Sequence, residues 1–379
     1  MLKKPVISMG YKIDWFQCTE VSKNDEVLDV LDSDFWNFLK KIGYNLNDFE
    51  TASPRYFYNS GLTLGRYFNI YYDDEDKGIN QYSPKNVLFQ FTGRGATDLA
   101  LKLSKYFQTD DFDEVWNFFF NVVMNYEVKV TRFDLALDDF KGVLDFDKME
   151  RKLLRREFKA SKRSYNIVKE KNTDGTIKGE TLYLGTRKRH QDGYLIRFYN
   201  KYAEYKSKGA ILPTAVEDVI TGTGTHIWQR YEMEIHGKAC ENFILKIIGG
   251  MSFGELYKSL MKNAIEFLKV NKSNKNKAYW SVVDWWADFL DGAEKASLAE
   301  PERDIDLGRL LRWIRVSVVP SLHLLDEIGR SKGFDIYEEI KKCVIGPYAK
   351  KQERLKDDAL NMSDADIKNY LEEFEDGDY

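Results

Sequence analysis

Three segments of the chain alternate polar and apolar side chains. They are TRFDLALDD at 131–139, YLIRFYNKYAE at 194–204 and RYEMEIH at 230–236. Such alternation predicts strands that bury one face, because successive side chains of a strand point to opposite sides of the sheet. The apolar face fixes the side on which the polar residues lie. The polar faces then carry Arg132, Asp134, Ala136 and Asp138; Leu195, Arg197 and Tyr199; and Arg230, Glu232, Glu234 and His236.

Shorter patterns predict strands and helices in the rest of the chain. Strands are expected at 11–16, 67–72, 87–91 and 128–138, and helices at 34–42, 96–107 and 146–158. NTDG at 172–175 predicts a hairpin between 166–170 and 181–185. After about residue 250 the pattern is helical, with helices at 253–270, 280–291, 306–330 and 336–343. Pro320 is expected to kink or break the third of these helices.

These elements predict an α+β fold. We expect an antiparallel-rich central β-sheet that carries the active site, with flanking helices and an all-helical C-terminal region. The predicted domains are a catalytic domain at 1–248, a helical domain at 249–352 and an acidic, flexible tail at 353–379.

Charge is distributed unevenly along a chain that is slightly acidic overall. The 379 residues are 43% hydrophobic, enough for a sizeable core, and the net charge of −4 excludes a generally basic nucleic-acid binder. Residues 151–208, however, carry 17 Lys and Arg against 6 Asp and Glu. Residues 354–379 carry 3 against 9. The basic block favours a groove that follows a phosphate backbone, and a solvated face is the alternative.

Several classes of protein are disfavoured. Cys18, Cys240 and Cys343 stand apart from one another, which indicates a reducing cytoplasm and no zinc site. No run of about 18 apolar residues indicates a membrane span. The four histidines do not include the pair, separated by one hydrophobic residue, that HUH nucleases use. GRG at 93–95 lacks the Lys-Ser/Thr of a P-loop and is interpreted as a plain turn.

The polar faces carry a candidate catalytic set. Tyr199 lies two residues from Arg197, with Lys201 next in line, and an Arg-flanked tyrosine suits transfer of a DNA phosphodiester to protein. The alternative is an aromatic strand that packs in a core. The carboxylates Asp134, Asp138, Glu232 and Glu234 suggest a site for a divalent cation, since Mg²⁺ and Mn²⁺ favour carboxylate oxygens. His236 is either a further ligand or a hydrogen-bonded structural group.

The chain resembles the replication initiation factor family (Rep_trans), which includes rolling-circle plasmid initiators of Gram-positive bacteria and related relaxases of integrative and conjugative elements. The resemblance rests on VTRFDLALDDF, TLYLGTRKRHQDGYLIRFYNK and HIWQRYEMEIHG in that order. It covers roughly 9–243 and is densest from 131 to 237. Gln229 departs from the family pattern, which leaves open whether Glu232 or Glu234 binds metal.

The resemblance implies a reaction and its residues. Tyr199 would be the nucleophile, helped by Arg197 and Lys201, and would leave a 5′-phosphotyrosyl strand and a free 3′-OH. Asp134, Asp138, Glu232 and Glu234 would bind Mg²⁺ or Mn²⁺. The residues themselves predict DNA contacts from Arg132 and Arg230 on the polar faces, and from a basic turn between the hairpin and the Tyr199 strand formed by Arg187, Lys188 and Arg189. Expected partners are double-stranded origin DNA, the nicked single strand, a host helicase and a second copy of the chain, with no membrane.

Two functional alternatives stay open in the sequence. The enzyme is either a plasmid or phage replication initiator or a relaxase of a conjugative element. The alternative from another class is a catalytically silent origin-binding factor that uses the same basic groove.

Overall fold

A computed structural model describes residues 9–296, with gaps at 23–25, 80–81, 83, 127, 187–192, 208–215, 217–218, 221–223 and 225. It also describes residues 311 and 314–343 and six separate positions between 356 and 371. Within these residues the strands are β1 (Met9–Glu20), β2 (Glu50–Thr51), β3 (Ser60–Leu64), β4 (Phe68–Tyr72), β5 (Val87–Thr92), β6 (Lys129–Asp139), β7 (Phe158–Ala160), β8 (Tyr165–Lys171), β9 (Ile177–Leu184), β10 (Tyr194–Asn200), β11 (Gln229–His236) and β12 (Ile265–Phe267).

The helices belong to several separate stretches of the chain. They are α1 (Asp34–Lys41), α2 (Arg94–Phe107), α3 (Phe112–Asn125), α4 (Phe146–Leu154), α5 (Lys201–Ser207), α6 (Lys238–Ile248), α7 (Phe253–Ala264), α8 (Asp284–Ala296), α9 (Val319–Lys332) and α10 (Ile336–Lys342). Short 3₁₀ turns occur at Leu46–Asp48, Glu75–Lys77 and Lys277–Tyr279, and a π-helical turn at Ile314–Val318 precedes α9. No helix among the described residues has the length and apolar character needed to cross a bilayer.

One large sheet organises the part of the chain between Met9 and His236. Ten of the described strands form it in the order β2-β3-β4-β5-β1-β6-β11-β10-β9-β8, and every neighbouring pair is antiparallel. β12 pairs separately with β7. The three alternating segments of the sequence are therefore adjacent central strands, and the predicted α+β fold with an antiparallel sheet and flanking helices is confirmed.

The core lies on one face of this sheet. Phe133 of β6 packs edge-on against Phe243 of α6, with ring centroids 4.9 Å apart. Phe198 of β10 contacts Trp286 of α8 at 6.3 Å. Phe16, Phe133, Phe198 and Trp286 are fully buried. Burial of these large rings makes the apolar face the dominant source of stability and leaves the polar face for chemistry.

Side-chain caps fix where several helices begin. The hydroxyl of Ser33 accepts the backbone N–H of Trp36 at the start of α1. Asp111 and Asp145 cap α3 and α4 in the same way, and Ser252 forms a capping box with Glu255 at the start of α7. Each cap satisfies N–H groups that have no partner within the helix.

Several predicted boundaries were wrong. The helix predicted at 253–270 ends at Ala264, because Ile265–Phe267 forms the strand that pairs with Phe158–Ala160. That same pairing ends the helix predicted at 146–158 at Leu154. Tertiary pairing overrides the helical pattern at both places. The helix Phe112–Asn125 was not predicted.

The described contacts divide the chain into two compact units, Met1–Ala299 and Glu300–Tyr379. The segment 249–299 belongs to the first unit: the hydroxyl of Tyr257 donates a 3.1 Å hydrogen bond to the carbonyl of Tyr231 in the sheet. In the second unit, Pro320 lies in the first turn of α9, where a helix needs no backbone N–H. The predicted functional boundary at 248/249 stays a prediction.

Candidate active site

The register of three adjacent strands brings the polar residues together. Along β11, Glu234 lies opposite Asp134 of β6, and Arg230 lies opposite Asp138. On the other side of β11, Glu232 lies opposite Arg197 of β10. Neighbouring Cβ atoms in such pairs are about 4.5–5.5 Å apart, so side chains from three strands form one cluster.

Three buried carboxylates form the centre of this cluster with two arginines. Arg132 binds Asp134 with both ends of its guanidinium, through Nε–Oδ1 at 2.8 Å and Nη2–Oδ2 at 2.6 Å. Arg197 forms an ion pair with Glu232 and lies 3.4 Å from Oδ2 of Asp134 and 3.7 Å from Oε2 of Glu234. Burial raises the pKa of Asp134 well above its usual range, and the nearby charge of Glu232 adds to this effect, while Arg132 and Arg197 oppose it.

Tyr199 contacts this cluster directly. Its hydroxyl donates a 3.0 Å hydrogen bond to Oε2 of Glu232. Burial raises the pKa of the Tyr199 phenol well above 10, and the charge of Glu232 raises it further, whereas Arg230 and Arg197 lower it. The phenol is therefore neutral at physiological pH, and its proton points at a carboxylate.

Lys201 lies beside the tyrosine ring but not on the strand. The strand ends at Asn200, and Lys201 is the first residue of α5. Its ammonium lies 5.4 Å from the centroid of the Tyr199 ring and binds Glu204 at 2.8 Å.

A second ion-pair group surrounds Arg230. Its guanidinium binds both oxygens of Asp138, at 2.6 and 2.8 Å, and reaches Asp14 of β1 at 2.9 Å. Arg230 is only 2% exposed. Asp138 thus lies with Arg230 and apart from the three central carboxylates, and Arg230 is enclosed by acids where the sequence suggested a DNA contact.

Asp14 is a site residue that the sequence reasoning missed. In a regular strand it would share the face of Phe16, which is fully buried in the core. A β-bulge between Ile13 and Trp15 shifts the register and turns Asp14 to the polar face. Burial disfavours the charged form of Asp14, but Arg230 and Lys12 outweigh it and hold its pKa below the usual range. An acid at an apolar position of an alternating strand was the available signal.

Two cavities open beside the cluster. The larger, about 520 Å³, is lined by Asp14, Trp15, Arg132, Asp134 and Glu234, with Gly93 at the N-cap of α2. The other, about 290 Å³, is lined by residues of β8, β9 and α5 and by Tyr199. Arg197 lines both cavities. A phosphate held at Arg197 would therefore have room for a nucleotide on either side.

The remaining predicted residues are placed as follows. Nε2 of His236 lies 2.9 Å from Oε1 of Glu234, a hydrogen bond that the carboxylate oxygen accepts, so His236 supports a carboxylate of the cluster. Arg132 stacks over the ring of Trp15, with its guanidinium carbon 4.3 Å from the centroid. Arg187, Lys188 and Arg189 lie outside the described residues.

The central carboxylates fit a hard divalent cation in the chemistry of their oxygen donors. Asp134, Glu232 and Glu234 are all buried, and the pKa of Asp134 is raised first by burial and then by the charge of Glu232, both of which a bound cation would offset. In the arrangement described, arginines face these oxygens, and no three acidic, histidine or cysteine side chains within the described chain are grouped to hold an ion. Cation binding would therefore require arginine to move away from at least one carboxylate.

Comparison with known proteins identifies the family and the fold of the chain. The model of the family described as replication initiation factor matches residues 128–340. A putative DNA relaxase, NicK, from Bacillus subtilis strain 168 is 24% identical over 289 residues, which cover 76% of this chain and 75% of that protein. The fold is similar to that of a rolling circle replication initiator protein from Geobacillus stearothermophilus, with a TM-score of 0.58 and 23% identity over 76% of this chain and 97% of that one.

Proposed function

The chain belongs to the replication initiation factor family, and from that membership we propose that it nicks and rejoins one strand of an origin DNA through a covalent bond to Tyr199. The observation that carries the proposal is the 3.0 Å hydrogen bond from the Tyr199 hydroxyl to Glu232, beside an arginine that lines both cavities. A nucleophile, a proton acceptor and a phosphate-binding cation are the three groups that this reaction needs.

In the proposed reaction, the oxygen of Tyr199 attacks the scissile phosphorus while its proton moves to Oε2 of Glu232. The bond from phosphorus to the 3′ oxygen breaks, and that oxygen takes a proton from solvent as it leaves. The products are a 5′-phosphotyrosyl strand and a free 3′-OH. Because the covalent bond conserves the phosphodiester energy, the reverse step can rejoin the strand without ATP.

The arginines have a defined role in this scheme. Arg197 and Arg132 would exchange a carboxylate for the non-bridging oxygens of the phosphate, where guanidinium groups bind two oxygens at once. They would stabilise the charge that develops on those oxygens in the transition state. The raised pKa of Tyr199 means that a free phenolate is not already present, so the proton acceptor Glu232 is needed during attack.

Asp134 and Glu234 are the residues that would hold Mg²⁺ or Mn²⁺. An ion bound there would draw charge away from a phosphoryl oxygen, as divalent cations do in phosphoryl transfer. Asp138 is a weaker candidate than the sequence suggested, because both of its oxygens bind Arg230. We assign Glu232 the proton-accepting role in preference to metal binding.

The biological setting of the reaction follows from the same proposal. Origin duplex and the nicked strand are the partners, in the cytoplasm; a host helicase and a dimer remain expectations of the resemblance. The chemistry is shared by plasmid or phage initiators and by conjugative relaxases. The rival proposal, a silent origin-binding factor, gives no reason for a tyrosine hydroxyl to point at a buried carboxylate.

A covalent-adduct experiment tests the proposal. The protein is incubated with overlapping single-stranded oligonucleotides that tile the DNA around its gene, and the adduct is mapped by mass spectrometry. We expect the adduct on Tyr199, none with Tyr199→Phe, and normal yield with Tyr202→Phe, which removes a hydroxyl from a neighbouring tyrosine on α5. An adduct on Tyr183, Tyr194, Tyr202 or Tyr205, or no adduct with any oligonucleotide, would count against the proposal.

A further inference from the structure

The polar face of the sheet continues beyond the catalytic cluster. A transverse row crosses β3, β4, β5 and β1, where Thr63 lies opposite Asn69, Asn69 opposite Gln90, and Gln90 opposite Gln17. Gln17 in turn lies opposite Arg132 of the active site. The row therefore reaches from β3, next to the edge strand β2, to the catalytic residues without changing face.

Hydrogen bonds connect this row from end to end. Thr63 donates to Asn69 at 2.7 Å, and Asn69 donates to Gln90 at 3.3 Å. Gln90 donates to Gln17 at 3.0 Å, and Gln17 donates to the hydroxyl of Thr131 at 3.1 Å. The side chains are amides and hydroxyls, so the row carries hydrogen-bonding groups and no net charge.

Exposed aromatic rings lie beside the row. The hydroxyl of Tyr56 accepts a 3.1 Å hydrogen bond from Gln90, and its ring packs edge-on against Tyr71 at 5.5 Å. Tyr56 is nevertheless 48% exposed, and the next residue, Phe57, is 70% exposed. The ring of Phe57 lies 6.4 Å from that of Tyr82, which is 68% exposed. Three large rings are thus exposed near the row: Tyr56 contacts it directly, and Phe57 follows along the chain and contacts Tyr82.

This surface is continuous with the larger cavity. Trp15 and Thr92 are two residues along β1 and β5 from Gln17 and Gln90, so they lie on the same face, and both line the cavity. The guanidinium of Arg132 stacks on Trp15 at that boundary. Burial raises the pKa of Tyr71, and the charge of Arg55, on the loop that carries Tyr56, opposes this rise, so a cation lies near the rings.

We propose that this aromatic-amide surface, defined as Gln17, Asn69, Tyr56 and Phe57 together with the buried Gln90 that hydrogen-bonds to three of them, binds bases of single-stranded DNA that adjoins the scissile phosphate. The inference rests on the proposed nicking function. Exposed rings stack only on bases that are unpaired, and amides donate to and accept from base edges. A surface built to hold duplex phosphates would instead carry lysines and arginines along its length.

The main alternative is a structural row, in which the amides satisfy one another and the rings cover the sheet. The two readings differ in what removal of an exposed ring does to DNA binding. A structural row predicts a change in thermal stability and none in base recognition. A base-binding surface predicts that removal of a largely exposed ring weakens base recognition and leaves thermal stability unchanged.

The test uses the full chain with the Tyr199→Phe substitution, so that binding is measured without cleavage. Fluorescence anisotropy compares a thymidine 12-mer with an abasic 12-mer of equal charge. We expect tighter binding of the thymidine oligomer, and a loss of about tenfold in that affinity with Tyr56→Ala or Phe57→Ala, as for one stacked base. Tyr56→Phe should retain most of the affinity. Tyr279→Ala, at a residue 69% exposed on another element, should change nothing.

Two results would overturn the proposal. One is equal affinity for the thymidine and abasic oligomers, which would mean that the protein reads only phosphates. The other is unchanged thymidine binding when Tyr56 and Phe57 are both alanine and the thermal unfolding curve is unaltered. Either result leaves the Tyr199 adduct intact, so failure of this surface and failure of the nicking function are distinguishable.

Discussion

The hydroxyl of Tyr199 donates its proton to a hydrogen bond with Oε2 of Glu232, 3.0 Å away across the β10–β11 pair. Glu232 lies directly opposite Arg197 in this strand pair. Arg197 binds the other oxygen of the Glu232 carboxylate. One carboxylate therefore orients both the phenol and the guanidinium. This arrangement makes Glu232 the group whose replacement most directly separates proton transfer from phosphate binding.

Glu232→Gln is expected to slow cleavage by about 10²–10⁴-fold, the usual contribution of a positioned proton acceptor. The amide keeps the size of the side chain but does not take a proton. Because the Tyr199 pKa lies above its ordinary value, the phenolate fraction at neutral pH is very small. The residual rate of the variant should therefore rise about tenfold per unit between about pH 7 and pH 9, as hydroxide removes the proton instead.

Single-turnover cleavage of a labelled oligonucleotide measures this pH dependence. The wild type should show a shallower rise, since Glu232 already accepts the proton. If the Glu232→Gln variant cleaved at the wild-type rate at about pH 7, Glu232 would not be the proton acceptor.

Asp134→Ala should abolish stimulation of cleavage by Mg²⁺ or Mn²⁺, and EDTA should silence the wild type. Titration of Mn²⁺ by electron paramagnetic resonance gives a readout independent of activity, and binding should weaken with Asp134→Ala and with Glu234→Gln. Asp138→Asn is the matched control. The Asp138 carboxylate is bound by Arg230, so its replacement should leave Mn²⁺ affinity unchanged. Full cleavage in EDTA would leave the arginines as the sole charge stabilisers.

How far the sequence predicts this site depends on strand regularity. Alternation in β6, β10 and β11 correctly places Asp134, Arg197, Tyr199, Glu232 and Glu234 on one polar face, since each strand has an apolar reverse face that must be buried. The partners of these residues are a matter of register, which alternation does not determine. That is why Asp138 was grouped with the other acids although Arg230 binds it.

Irregular features account for the residues that were missed. A single bulge moves Asp14 from the apolar to the polar face, and its one local sign in the sequence is an acid at a position that a regular strand would bury. The end of α7 at Ala264 depends on pairing with Phe158–Ala160, more than a hundred residues earlier. Propensity favours helix through this segment, and the long-range strand pairing prevails.

Arg230→Gln is expected to destabilise the fold, by about 3–5 kcal/mol in the free energy of unfolding, because it leaves the carboxylates of Asp14 and Asp138 without their buried cation. Urea denaturation followed by circular dichroism measures the change. Arg330→Gln provides the contrast, since the Arg330 side chain is largely exposed where it pairs with Asp326 and its loss should cost less than about 1 kcal/mol. If Arg230→Gln instead cost little free energy of unfolding and reduced the salt dependence of DNA binding, Arg230 would be a DNA contact, as the sequence suggested.

A DNA contact is still expected from the basic turn predicted at Arg187, Lys188 and Arg189. The salt dependence of binding tests this expectation. Each phosphate contact adds about 0.9 to the slope of log affinity against log salt concentration on duplex DNA. Replacement of all three residues by alanine should therefore lower the slope for a duplex from the gene's flanking DNA by roughly 2–3 units. The comparison is a triple alanine variant of Lys148, Arg151 and Arg155, at and just after α4, where the basic block begins. A slope that falls only in the α4 variant would move duplex recognition from the turn to that helix.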